Sequence, residues 1–131
     1  MKNPSKPVGW FEIYVTDMAR ARAFYEATFQ IQLEHLPSPN PNQEIEMWMF
    51  PGAMDMDAPG CSGALCRMKE CQPGGSGTII YFTCADCAVE AGRAAENGGR
   101  IYQEKMPIGQ YGFIAIIADS EGNTIGLHSM N

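Results

Sequence analysis

The stretch Trp10-Phe11-Glu12-Ile13-Tyr14-Val15-Thr16-Asp17-Met18-Ala19-Arg20-Ala21-Arg22-Ala23-Phe24-Tyr25 holds a strand, a cap and a helix in sixteen consecutive residues. Trp10 to Val15 is aromatic and β-branched with Glu12 its only charge, which predicts a strand. Thr16-Asp17 then offers a side-chain oxygen to an orphan amide at a helix start. Met18, Ala21, Phe24, Tyr25, Thr28 and Phe29 follow at spacings of three and four, which predicts a helix with one apolar stripe. Arg20, Arg22 and Glu26 fall largely off that stripe.

Working outward, the same order returns. Ile13-Tyr14-Val15-Thr16 is echoed by Ile80-Tyr81-Phe82-Thr83 at an offset of 67. Ala64-Leu65-Cys66-Arg67-Met68 is echoed by Gly126-Leu127-His128-Ser129-Met130 at an offset of 62. Two echoes in one order, at similar offsets, point to two copies of a unit of about sixty residues. In the first half, Ile31–Leu36, Glu44–Phe50 and Gly63–Met68 read as strands, broken by the proline loop Pro37–Asn42 and the loop Pro51–Gly60. In the second, Thr78–Thr83 is a strand and Asp86 caps a helix ended by Asn97-Gly98-Gly99. Arg100–Glu104, Tyr111–Ala118 and Thr124–His128 are further strands, with Asp119–Asn123 a turn. The expected architecture is α+β, βαβββ twice, with modules at 8–70 and 77–130 joined by a linker at 71–76 inside one domain of 131 residues.

Composition narrows the function classes. A chain of this length buries a real core without disulfides or structural zinc. Its 45% hydrophobic and 18% charged residues exclude disorder. No apolar run approaches the ~20 residues of a membrane span, and Met1–Pro7 lacks the apolar stretch of a secretory signal. Net charge is −6 without a basic block, so nucleic acid is not an expected partner. Five cysteines, an odd count, read as reduced thiols of a cytoplasmic protein.

Two motifs carry a resemblance. Glu12 to Tyr25 looks like a family opening of strand, Asp and helix ending in Phe-Tyr. Asp119-Ser120-Glu121-Gly122-Asn123-Thr124-Ile125-Gly126-Leu127 looks like its closing Asp-x-x-Gly-Asn-x-Ile-x-Leu. With the doubled βαβββ order they resemble the vicinal oxygen chelate superfamily, which includes glyoxalase I, bleomycin-resistance proteins and extradiol dioxygenases. The resemblance runs from about Val8 to Met130. It implies two modules curled into paired half-barrels around a cleft, often in a homodimer. In the family's enzymes it implies a divalent metal held by His, Glu or Gln from the first and last strand of each module.

Carried over one position at a time, the ligands are missing. Seven residues before the capping Asp17 stands Trp10, whose indole offers only a donor. The place after Gly-Asn-x-Ile is Gly126, the repeat carries it back onto Ala64, and the fourth place is Ile79 or Gly77. No resident cofactor is therefore expected; a divalent metal at a displaced position is the alternative. Strand alternation puts Glu12 on the side of Trp10, His128 on that of Gly126 and Cys66 on that of Ala64. Glu12 and His128 are the candidate catalytic residues, as an acid/base pair or as ligands of a shifted metal, against a purely structural hydrogen bond. The candidate ligand pocket is Trp10, Glu12, Trp48, Cys66, Ile79, Tyr111, Phe113 and His128, with Met47, Met49, Met54, Met56 and Met106 as adaptable surface.

Three functions stay open. The first is a small-molecule binding protein whose cleft lacks the usual ligands. The second is an isomerase or lyase of lactoylglutathione-lyase type using Glu12 and His128. The third is a thiol redox or interaction module acting through Cys84-Ala85-Asp86-Cys87. A homodimer is expected from the resemblance and from the apolar run Tyr111–Ala118.

Overall fold

The computed structural model describes residues 6–38, 44–55, 57–74 and 77–131. Most of the proline loop, Met56 and two linker residues, Gly75 and Ser76, lie outside the described residues. In chain order the elements are β1 (Val8–Tyr14), α1 (Met18–Phe29), β2 (Glu34–Leu36), β3 (Ile45–Met49) and β4 (Ser62–Met68). They continue with β5 (Thr78–Thr83), α2 (Cys87–Glu96), β6 (Arg100–Pro107), a short 3-10 turn (Gly109–Tyr111), β7 (Phe113–Ala118) and β8 (Thr124–Ser129). The fold is α+β: two helices on one mixed eight-stranded sheet of order β2-β3-β4-β1-β5-β8-β7-β6.

Each half has the same internal order. Its first strand lies beside its last, then come the third and the second. β1 runs parallel to β4 and β5 parallel to β8, while β1 and β5 meet antiparallel at the centre. The two helix caps fix how the halves correspond. Asp17 accepts from the Arg20 amide and Asp86 from the Ala88 amide, so the true offset is 69. The ladders agree: Glu12 sits opposite Ala64 and Tyr81 opposite Gly126. The echo at 67 is thus two residues out of register. A slip of two keeps every side chain on its own face, which is why the pattern matched. Of the two alternatives for the fourth family position, the caps select Ile79.

Alternation then separates two sides of the sheet. One side packs on the helices. Leu65 of β4 is buried against Met18 of α1, and Ala115, Ile117 and Leu127 of the sheet against Cys87 and Ala91 of α2. Ser129, fully buried on β8, accepts from the Cys87 amide at 3.0 Å and so satisfies an orphan donor of α2 from 42 residues away. The other side carries Glu12, Tyr14, Met47, Met49, Ala64, Cys66, Ile79 and Tyr81.

Helix α1 packs through Met18, Ala21 and Tyr25 of the expected stripe and departs from it at Phe24 and Phe29. Phe24 and Phe29 are 59% and 60% exposed, whereas Arg22 and Glu26 are half-buried. The cause is Trp48 on the helix side of β3. The Arg22 guanidinium carbon lies 3.5 Å from its ring centroid, and Glu26 accepts from the Leu33 amide. The apolar run at 111–118 is also accounted for within the chain. β7 is interior to the sheet, with Ala115 and Ile117 under α2 and Ile114 and Ile116 on the opposite side. Its hydrophobicity therefore no longer argues for a dimer interface. No helix among the described residues is long and apolar enough to cross a membrane.

The β1–β4 seam tolerates no side chain at Gly63, where an added Cβ would meet the Phe11 carbonyl and ring. Gly63→Ala is expected to lower stability by about 2 kcal/mol. Gly92→Ala, in α2 with nothing near an added Cβ, is expected to raise it by about 0.5–1 kcal/mol. Urea unfolding of both variants checks the pair.

Candidate functional site

The face of the sheet away from the helices encloses a cleft of about 1360 Å³. That exceeds the roughly 300–1,000 Å³ usual for small-molecule sites. Ile45, Met47, Ile79, Ile114 and Ile116 give it apolar walls, and the 51–60 loop contributes to its rim. Of the expected pocket residues, Trp10, Glu12, Ile79, Tyr111 and His128 line it.

Three expected pocket residues do not line it. Trp48 is on the helix side because Met47 and Met49 take the inward positions of β3. It is stacked under Arg22, edge-on to His35, and donates to Glu46 at 3.1 Å. Phe113 packs toward α2 with Lys105 Nζ 4.6 Å above its ring, since Ile114 and Ile116 hold the inward positions of β7. Cys66 faces the expected side but is sealed at 0% exposure within the packed cluster there. Of the methionines, Met47 and Met106 line the cleft, as does Met54, which is exposed on the loop.

At the centre of the cleft wall is Glu12, only 8% exposed. Tyr14 donates to its Oε1 at 2.8 Å, Tyr81 to the same oxygen at 3.1 Å, and the Trp10 indole N–H to Oε2 at 3.3 Å. Burial raises the Glu12 carboxyl above its ordinary pKa, and the three hydrogen bonds only partly offset it. The same burial, with Glu12 adding to it, pushes the Tyr14, Tyr81 and Cys66 pKa values up. Tyr14 and Tyr81 are the site residues that the motif reading missed. Tyr14 was legible by alternation from Glu12. Tyr81 needed the offset of 69, which makes it the counterpart of Glu12 itself. His128 is engaged elsewhere: its Nε2 is 2.6 Å from the Tyr111 carbonyl oxygen.

The donor set does not fit the divalent metal that the resemblance implies. Trp10, Ile79, Ala64 and Gly126 supply no ligand atom, and among the described residues no three His, Cys, Asp or Glu side chains converge. The space that a longer residue at 126 would need is taken, because an added Cβ there collides with the Tyr81 ring. The thiol motif is equally ill-suited to redox chemistry. Cys87 is fully buried, and burial pushes the Cys84 thiol up to about 11, leaving little thiolate at neutral pH.

A carboxyl whose pKa rises on folding holds its proton more tightly in the folded state. The stability it contributes is complete below the ordinary glutamate value and is lost as pH climbs through the raised one. Glu12→Gln removes that loss while its amide oxygen still accepts from both tyrosines. As pH rises above the ordinary glutamate value, the variant's stability, measured by urea unfolding, should gain on the parent's until the raised value is passed. A difference that stays constant with pH would show that burial does not perturb this group.

Several solved structures share the architecture. A hypothetical protein, BH1468 from Bacillus halodurans C-125, is 15% identical, with 95% of this chain and 94% of that chain covered and a TM-score of 0.69. A methylmalonyl-CoA epimerase in complex with methylmalonyl-CoA and NH4+ is 18% identical over 94% and 93%, with a TM-score of 0.64. A methylmalonyl-CoA epimerase from Mycobacterium tuberculosis is 17% identical over 95% and 88%, with a TM-score of 0.61. At these identities the likeness shows the fold alone. None of the curated proteins matches the sequence. A family model does match, across residues 8–127, which is nearly the whole doubled module: the chain belongs to the Glyoxalase/Bleomycin resistance protein/Dioxygenase superfamily.

Proposed function

We propose that this protein binds a small molecule in the cleft formed by its two curled modules, and does so without a divalent ion. The observation that carries the reading is the exchange of donors at the family's ligand positions. Trp10 and Ile79 line the cleft where two ligands would be, and Tyr81 fills the room beside Gly126 where another would reach. A cleft of about 1360 Å³ with mostly aliphatic and aromatic walls is retained. Such a cavity recognises its ligand by shape and a few polar contacts rather than by chelation.

One observation favours a second reading, an isomerase or lyase of lactoylglutathione-lyase type. A buried carboxyl of raised pKa and an imidazole, Glu12 and His128, line one cleft, and carboxyl groups tuned upward suit proton transfer near neutral pH. Turnover of a glutathione hemithioacetal that Glu12→Gln reduces by about a hundredfold would establish this reading. No turnover by the parent protein would remove it.

Binding has a built-in reporter. Of the two tryptophans, Trp10 lines the cleft and Trp48 lies across the sheet, so Trp48→Phe leaves one indole at the site. The neutral dye N-phenylnaphthylamine is expected to quench Trp10. Its affinity should be unchanged by a chelator or by added magnesium, manganese, nickel or zinc. Trp10→Ala, followed by dye fluorescence, should weaken binding by about tenfold, the equivalent of one lost aromatic contact. Affinity that appears only with a divalent ion would overturn the reading.

A further inference from the structure

Resting on the reading that the cleft takes a small molecule, we infer that the ligand is an organic cation. It would have an apolar body and a protonated amine that directs a single N–H at Oε2 of Glu12.

The inference starts from acceptor capacity. An ionised carboxylate offers about four lone-pair sites, two on each oxygen. Tyr14 and Tyr81 fill both on Oε1, and Trp10 fills one on Oε2 with a long bond of 3.3 Å. One site remains, on an oxygen of a residue that lines the cavity. The two-point pairing that makes a guanidinium a strong partner, one bond to each oxygen, is closed because Oε1 has no site left. A tertiary ammonium, with one N–H, matches what remains.

Charge selects in the same direction. The three donors to Glu12 are neutral, and among the described residues no basic side chain pairs with it. A buried carboxylate without a counter-charge is costly, and a ligand cation arriving beside it supplies one. A neutral alcohol donates a hydrogen bond but leaves the charge uncompensated, and an anion adds repulsion. The approach is biased as well. The described lining residues include Asp55, Asp57 and Glu70 besides Glu12, against Lys6 as the one lysine or arginine. Like-signed groups around a low-dielectric cleft focus the field and favour the opposite charge. Trp10, Tyr111 and the aliphatic side chains of β7 and β3 provide surface for the apolar body.

Four probes sharing one naphthylmethyl body test this on the full chain by isothermal titration calorimetry at about pH 8. They are the dimethylamine, the trimethylammonium salt, the alcohol and the carboxylate. The dimethylamine, protonated with one N–H, is expected to bind at least about tenfold tighter than the alcohol and the trimethylammonium salt, with the carboxylate weakest. Its affinity should fall as pH drops and Glu12 takes up a proton. Of the other titratable groups at that wall, Tyr14, Tyr81, Cys66 and Cys71 are all raised. His128 also lines the cleft, with its Nε2 on the Tyr111 carbonyl oxygen, and a pH dependence that survives in Glu12→Gln would assign the effect to it and overturn the role of Glu12. In Glu12→Gln the amine and the alcohol should bind within about twofold of each other.

Equal binding of amine and alcohol to the parent protein overturns the cation while the cleft reading stands. A trimethylammonium salt as tight as the amine overturns the single N–H contact. Tightest binding of the carboxylate overturns the charge argument. Failure of all four to bind overturns both this inference and the reading beneath it. The probe series on the parent decides the matter even if Glu12→Gln fails to fold.

Discussion

A carboxylate on the central strand of the sheet, out of water, is the constraint around which the site is organised. Glu12 sits on β1, which is hydrogen-bonded to β4 on one side and β5 on the other. Its side chain cannot turn to solvent without reversing the face of the whole strand. It stays because three aromatic donors reach it, two from its own strand and one from the facing module. Tyr81 thereby ties the two halves of the chain through a hydrogen bond spanning 69 residues. Burial of its ring and hydroxyl on the β1–β5 seam makes the joint between modules polar at its centre and apolar around it.

Much of the fold was legible because each half announces itself locally. A strand, an aspartate cap and a helix occur twice, and the helix starts fall where Asp17 and Asp86 place them. What could not be read was the outcome of competition between faces. Of the stripe from Met18 to Phe29, Met18, Ala21 and Tyr25 face the core, but Phe24 and Phe29 looked buried by hydropathy alone and are exposed. The actual side was chosen by Trp48, whose ring accepts a guanidinium and so draws Arg22 inward. Period-based reading assigns burial to apolar residues and has no means of anticipating an arginine that packs through its planar face.

The site was legible to a similar depth. Strand alternation, laid on the cleft that the resemblance implies, put Trp10, Glu12, His128 and Cys66 at one wall; the first three line the cleft and Cys66 is sealed behind it. Trp48 and Phe113 were chosen for being aromatic and not by the parity of their strands, and they do not line the cleft: Met47 and Ile114, one residue away, hold the inward places. The tyrosines around Glu12 were hidden for another reason. Their role appears only when the halves are aligned by caps and ladders, since the best-looking sequence echo is displaced by one pleat.

The tyrosine against Gly126 also bears on how such a cleft can change over generations. Substituting glutamate there first would drive a side chain into the Tyr81 ring. Shrinking Tyr81 first would open a void and strip a donor from a submerged carboxylate. Each order passes through a weakened intermediate, so the two positions are epistatic: chemistry by chelation is separated from the present cleft by a valley rather than a slope.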